Sequence, residues 1–374
     1  MNYDKCRIGY VVANLKRVGP TNQTLNIIRY SGAIDNCVVI TLFDEPEDTQ
    51  IQEYYQQGIK VLCLHLSHKS ILFKGVSLLA EALRNENVQL VHSYGTFPDI
   101  IATHACCKVN IEHIITLRNF PMEDMTTRMN RCVGTIGAVV VLHYLKQCKN
   151  VICCSKSIET KMKETYHWNN LYSIQNGVDF TKFAPCDKKQ VRRELGVDEQ
   201  KLVFISTGSM IPRKRIDETV DAFIAGKPSE SAELWLLGDG ILLEELKAKY
   251  AAEKNVKFLG KQSQVALYLS AADVFVSSSE SEGMPNSVLE AIACGLPVYL
   301  SDIPQHLEVL DNVSGCGVAY PLGKTEMLTA LIKDTVPERV QNMRNETTKL
   351  LTSKLTMESM GQDYASLYRR VMMQ

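Results

Sequence analysis

The chain has almost no surplus of charge, with 41 lysines and arginines against 42 aspartates and glutamates in 374 residues. Nucleic-acid binding usually needs excess positive charge to neutralise phosphates, so nucleic acid is excluded as the expected partner. Long apolar runs are missing too. No stretch free of Asp, Glu, Lys and Arg exceeds 14 residues, the length of Cys132 to Leu145, short of the roughly 18 that cross a bilayer. The opening MNYDKCRIGYVVANL has neither a signal-length apolar segment nor a small-residue cleavage site. A cytoplasmic protein is expected, either free in solution or peripheral at a membrane. No C-x-x-C pair occurs. The twelve cysteines are scattered, with Cys106/Cys107 and Cys153/Cys154 adjacent, which reads as reduced, mostly buried thiols rather than a disulfide framework. No His, Cys or carboxylate cluster has metal-ligand spacing, so no metal is expected. Internal repeats and low-complexity segments are absent as well.

What the chain has is length and rhythm. At 374 residues it exceeds what one hydrophobic core usually supports, so two domains are expected. Short Val- and Ile-rich runs alternate with helical stretches, the pattern of β-α-β units and parallel sheets. In the first half strands are expected near residues 7–13, 37–42, 59–64, 90–93, 114–117, 151–154 and 172–175. In the second half they fall near 202–207, 233–237, 256–259, 274–277, 297–300 and 317–320. Between the sets, NGVDFTKFAPCDKKQ has turn residues and charge but neither period, which makes it the linker. The predicted fold class is α/β, with domains 1–182 and 183–354 as two doubly wound parallel sheets. Residues 355–374 form an amphipathic helix with apolar side chains three and four apart.

The segment ESEGMPNSVLEAIACGLPVYLSDIP, Glu280 to Pro304, sets two carboxylates, Glu282 and Glu290, around the start of a helix. Gly283 and Pro285 mark a turn, Pro285 or Asn286 opens the helix, and Gly295 with Pro297 ends it. The first N–H groups, Asn286 and Ser287, and the positive end of the dipole form a site for an anion such as a phosphate. Glu290 lies roughly 6–8 Å further along the axis. Carboxylates accept sugar hydroxyls, so the spacing suits a ligand with hydroxyls on both sides of a diphosphate, as in a nucleotide sugar.

This segment resembles the E-x7-E signature of retaining glycosyltransferases of family 4, which have the GT-B fold. The likeness continues in order through SIQNGVDFTKF (173–183), FISTGSMIPRKRIDETVDAF (204–223), ELWLLGDG (233–240), VKFLGK (256–261) and LSAADVFVSSSESEG (269–283). It implies two Rossmann-like domains facing across a cleft, with the last helix returning to the N-terminal one. It also implies a sugar moved from a UDP- or GDP-sugar to a hydroxyl acceptor, without a cofactor or metal. Donor contacts would come from Gly19, Ser209, Arg213, Lys214, Gly238, Gly260, Lys261, Glu282, Gly283, Met284, Pro285, Asn286, Ser287 and Glu290, and catalysis from Glu282, Lys214 and Arg118. Two positions depart from the pattern. Ser209 stands where the family usually has an arginine, and Arg213 or Arg215 would then supply that cation. Arg118 stands where a histidine is common, and it suits acceptor binding or charge stabilisation rather than base catalysis, because a guanidinium stays protonated. His92 faces the cleft in the family reading, although a lone strand-end histidine is more often structural.

By analogy the acceptor is a glycan or lipid-linked glycan, such as an O-antigen or capsule unit of a bacterial surface. The helical stretch 69–84 offers Lys69 and Lys74 beside Ile71, Leu72, Phe73 and Val76, either as a bilayer contact or as an ordinary buried face. Two other functions fit the same fold: a UDP-N-acetylglucosamine 2-epimerase-like isomerase, which needs no acceptor, and a catalytically silent GT-B partner subunit.

Overall fold

Strands such as Ile8–Val12 and Cys37–Thr41 are buried at every position, as expected where helices cover both faces of a parallel sheet. In the computed structural model, which describes residues 6–128 and 130–373, the chain divides into two units, Met1–Asn176 with Met357–Gln374, and Gly177–Thr356. The first unit holds β1 (Ile8–Val12), β2 (Cys37–Thr41), β3 (Lys60–Cys63), β4 (Leu90–Ser93), β5 (Glu112–Leu117), β6 (Asn150–Cys153) and β7 (Leu171–Ser173). They form one parallel sheet in the order β3-β2-β1-β4-β5-β6-β7.

The second unit repeats the plan with β8 (Val203–Thr207), β9 (Glu233–Leu237), β10 (Val256–Gly260), β11 (Val274–Ser277), β12 (Val298–Ser301) and β13 (Gly317–Tyr320). Its parallel order is β10-β9-β8-β11-β12-β13. Both are Rossmann-like. In such sheets ligands bind beyond the carboxyl ends of the strands where the order reverses. In the second unit that point lies between β8 and β11, whose following loops carry Lys214 and Glu282.

One expectation needs correction. The end of the predicted linker is already helical, because the Asp187 side chain accepts the N–H groups of Lys189 and Gln190 and starts the helix Lys188–Glu194.

The last helix, Met357–Met372, belongs to the first unit. It crosses the helix Gly19–Tyr30 at Gly361, where a Cβ would lie 2.2 Å from the Tyr30 carbonyl oxygen. Only glycine allows that approach. Beyond it Tyr364 and Tyr368 are fully buried. His92 lies 2.8 Å from the Tyr368 hydroxyl through Nδ1 and 2.6 Å from Thr116 Oγ1 through Nε2. Burial pushes its imidazole down to about 3, with Arg118 adding to the effect, so it is neutral. With both ring nitrogens engaged, His92 anchors the C-terminal helix to the sheet.

Candidate active site

Three adjacent strands of the second unit end in glycines with left-handed backbone: Gly208 (φ +139°), Gly238 (φ +142°) and Gly260 (φ +67°). The Gly208 N–H donates to the Leu237 carbonyl at 2.9 Å and the Gly238 N–H to the Gly260 carbonyl at 2.8 Å. A Cβ on Gly238 would lie 1.8 Å from the Gly208 carbonyl oxygen. The row is therefore a backbone-only edge, open to a ligand and intolerant of side chains at its centre. Gly238→Ala is expected to cost about 3 kcal/mol or more, from forced backbone movement added to an unfavourable φ. The check is the denaturant midpoint, and an unchanged midpoint would contradict this packing.

After Gly208 the chain buries Met210 and makes a short turn, Pro212–Lys214. This turn aims two cations at one carboxylate. Arg213 Nη1 donates to Glu282 Oε2 at 3.0 Å and to the Ser281 carbonyl at 2.6 Å, and Lys214 Nζ donates to Glu282 Oε1. Glu282 is 6% exposed. Burial alone would push its carboxyl up, but the charges of Lys214 and Arg213 outweigh this and hold it well below the usual carboxylate range. Arg215, at φ +46°, turns away to Glu218 at 2.6 Å. Ser209 is exposed and brings no charge. Of the two arginines considered for the missing cation, Arg213 is the one beside Glu282.

Buried hydroxyl contacts hold the Glu282 loop. Ser278 Oγ lies 2.7 Å from Thr219 Oγ1 and 2.8 Å from the Tyr320 hydroxyl, and Ser301 Oγ donates to the Ser279 carbonyl at 2.6 Å. His306 is a neighbour that sequence reasoning missed. Its Nδ1 donates to the Ser301 carbonyl at 2.9 Å, while the buried Nε2 has no hydrogen-bond partner. Burial pushes the imidazole down to about 4 against the pull of Glu282, so it is neutral.

The helix that follows is Asn286–Ala293, preceded by Pro285, without a side-chain cap, and ended by Gly295 at φ +80°. The positive end of its dipole therefore has no side-chain acceptor of its own. The Asn286 N–H was expected to be free, yet it donates to the Met284 carbonyl at 2.9 Å because the turn tightens at Pro285. Gly283, Met284 and Pro285 are buried, Asn286 and Ser287 half-buried. Glu290, one turn in, is half-buried, and desolvation pushes its carboxyl up to about 7 against the pull of Lys182 and Lys214. Gly260 is half-buried and Lys261 exposed.

The first unit holds the remaining candidates. Gly19, named above as a donor contact, opens the helix Gly19–Tyr30, since Pro20 at the second position suits a helix start. Arg118 follows β5. Its Nη1 donates to Asn176 Oδ1 at 3.0 Å and its guanidinium lies 5.3 Å from the centre of the Tyr94 ring. Its Nε and Nη2 are buried without a hydrogen-bond partner among the described residues. A pocket of about 520 Å³ opens at the carboxyl edge of the same sheet, with Asn14, Phe43, Asp44, His68 and Phe97 in its lining. Sequence reasoning missed it because its walls come from three separate loops and the start of the helix Thr96–Val109. It also missed the grouping of Asp44, Cys63 and His65. The C-x-H spacing is too common to notice, and Asp44 joins from the loop after β2.

Residues 187–349 match the family model described as glycosyl transferases group 1, and residues 24–182 the model described as glycosyltransferase family 4. The chain belongs to the family 4 glycosyltransferases. The transferase is 26% identical over 308 residues to the N-acetyl-alpha-D-glucosaminyl L-malate synthase of Bacillus anthracis, covering 79% of this chain and 78% of that one. It is 29% identical over 257 residues to the UDP-Gal:alpha-D-GlcNAc-diphosphoundecaprenol alpha-1,3-galactosyltransferase of Escherichia coli, covering 66% of this chain and 65% of that one. Its fold is GT-B. Anabaena Alr3699/HepE, solved in complex with UDP and glucose, superposes with a TM-score of 0.84 at 17% identity, covering 98% of this chain and 100% of the other. These relatives are named as a synthase and a transferase, which favours transfer over the epimerase reading.

Proposed function

We propose that this enzyme is a retaining transferase that moves a sugar from a UDP-sugar to a hydroxyl of a lipid-linked glycan in bacterial surface polysaccharide assembly. The observation that carries the donor half is the convergence of Arg213 and Lys214 on Glu282 beside the uncapped start of the Asn286 helix. Two cations and a helix dipole at one end of a glycine-edged sheet stabilise a departing diphosphate. Glu282 holds the cations in place and accepts hexose hydroxyls together with the backbone of residues 283–286. Glu290, one turn along, accepts the ribose hydroxyls. The leaving diphosphate takes the acceptor proton on the face from which it departs, so the anomeric configuration is kept. Uridine is favoured by the UDP in HepE and by the UDP-Gal in the name of the Escherichia coli relative, whose name also supplies the diphosphoundecaprenol acceptor. The pocket walled by Phe43, His68 and Phe97 offers aromatic faces and the Asp44 carboxylate for an acceptor sugar. Such an acceptor makes the enzyme peripheral at the inner face of the cytoplasmic membrane.

A thermal-shift series across nucleotide sugars tests the donor. UDP-sugars at about 100 times their dissociation constant should add about 2.7 kcal/mol of stability. Stabilisation by GDP-sugars alone would contradict the choice of base. Transfer should also continue in EDTA, whereas loss in chelator with restoration by magnesium would contradict the metal-free chemistry.

Glu290 makes UDP affinity depend on pH. In the free enzyme its carboxyl is raised to about 7, so it carries a proton below neutrality. Ribose hydroxyls donate to the charged form, so binding releases that proton. Affinity therefore weakens as pH falls, by about tenfold between about pH 8 and pH 6 beyond any change in the nucleotide itself. Glu290→Gln should remove this component in calorimetry. Parallel pH profiles for the two proteins would show that Glu290 does not hold the nucleotide.

A further inference from the structure

The helix Arg131–Gln147 contains a charge-free run of 14 residues, Cys132 to Leu145, yet half of that run faces outward. Val133, Ile136, Val139 and Val140 are 50%, 66%, 56% and 42% exposed. The inward side is already supplied by Gly134, Ala138, Leu142 and Leu145, so the outward residues are not the core stripe of an ordinary amphipathic helix. The helix Ile71–Asn85 adds Leu72 and Phe73, 72% and 86% exposed, at its first turn, while Ile71 is buried. The helix Thr96–Val109 packs against both, so the two apolar groups lie on one face of the same sheet. Each helix runs back from the carboxyl edge of the strands, which places Leu72, Phe73, Val133 and Ile136 toward that edge. The pocket residue His68 immediately precedes Lys69 and this first turn.

The exposed charge on this face is mostly positive. Lys69, Lys74, Lys108, Arg131 and Lys146 are exposed along the three helices or just before them. Among the described residues of these three helices Asp99 is buried and Glu81, two turns beyond Phe73, is the exposed acid, while Glu123 and Asp124 on the neighbouring helix Pro121–Arg128 are half-buried.

We propose that this face rests on an anionic bilayer, with the valines, Ile136, Leu72 and Phe73 entering the headgroup boundary and the lysines and Arg131 meeting lipid phosphates. The proposal builds on the reading that the acceptor is lipid-borne, and it names the surface that brings the acceptor to the enzyme. Apolar side chains ringed by cations are the composition of interfacial membrane contacts. A second copy of the chain fits poorly, because a two-fold contact would set this cationic rim against itself.

Flotation of the full chain with vesicles of phosphatidylcholine, with and without phosphatidylglycerol, tests the proposal. Binding should require phosphatidylglycerol and weaken with salt. Ile136→Glu combined with Val140→Glu should lower vesicle partition by about tenfold or more, as the loss of two buried aliphatic side chains implies. Ile136→Trp supplies a positive signal, since its emission should shift to the blue with anionic vesicles and be quenched by brominated lipid. Undiminished flotation of the double variant, or an Ile136→Trp emission indifferent to vesicles, would overturn the proposal. So would a wild-type dimer in sedimentation that Ile136→Glu dissociates, since a second copy would then own the face. UDP-sugar thermal shifts on the same variants keep the two readings apart. A normal shift without flotation removes only the docking surface, and flotation without any nucleotide-sugar shift removes the transferase chemistry.

Discussion

Lys214→Ala should lower turnover by about 10²–10³, the range for losing one electrostatic contact to charge that develops in the transition state. Donor affinity should fall less. The difference follows from where the charge is needed. On the proposed reading the ground-state diphosphate is shared among Arg213, the start of the Asn286 helix and the glycine edge, whereas at departure it gains negative charge that a compact ammonium meets best. Lys214 donates to the buried Glu282, so its removal leaves that carboxylate with Arg213 alone. A melting curve of the ligand-free variant therefore belongs beside the kinetics, because an incompletely paired buried charge destabilises the fold independently of catalysis. If affinity drops while turnover stays normal, Lys214 is a ground-state anchor only.

The second large effect is expected at Arg118. Two of its guanidinium nitrogens are buried without a hydrogen-bond partner among the described residues, while the third is held by Asn176. Such a group is fixed in place with donors in reserve, as charge stabilisation at a reacting centre requires. Arg118→Ala should then cut turnover by about 10²–10³ with little change in UDP affinity, since the nucleotide is assigned to the second unit. Arg118→His should recover part of the loss at low pH, where imidazole carries charge. Normal turnover in Arg118→Ala would confine the residue to packing or acceptor choice.

The strands were legible because both sheets are covered on both faces, so each strand reads as a short apolar run, from Ile8–Val12 to Val274–Ser277. The helix that carries Glu290 was legible because Pro285 precedes it and Gly295 ends it. The pairing of Glu282 with Arg213 and Lys214 was not, since it spans 68 or 69 residues and depends on which loops follow β8 and β11. Periodicity also says nothing of which side of a helix is covered. The run at Cys132–Leu145 has the composition of a core helix, and only the packing shows that Ile136 and Val139 face outward. His92 illustrates the reverse case. A lone strand-end histidine is more often structural, and the structure agrees by giving both its ring nitrogens to Tyr368 and Thr116.

The central claim is transfer with retention from a UDP-sugar, and the anomeric configuration of the product tests it most directly. Incubation of the full chain with a UDP-α-sugar and a lipid-linked glycan acceptor, followed by proton NMR of the purified product, reads the new linkage. The account predicts an α-linked product in the presence of EDTA, formed only when acceptor is supplied. A β-linked product, or an epimerised nucleotide sugar appearing without acceptor, would contradict it.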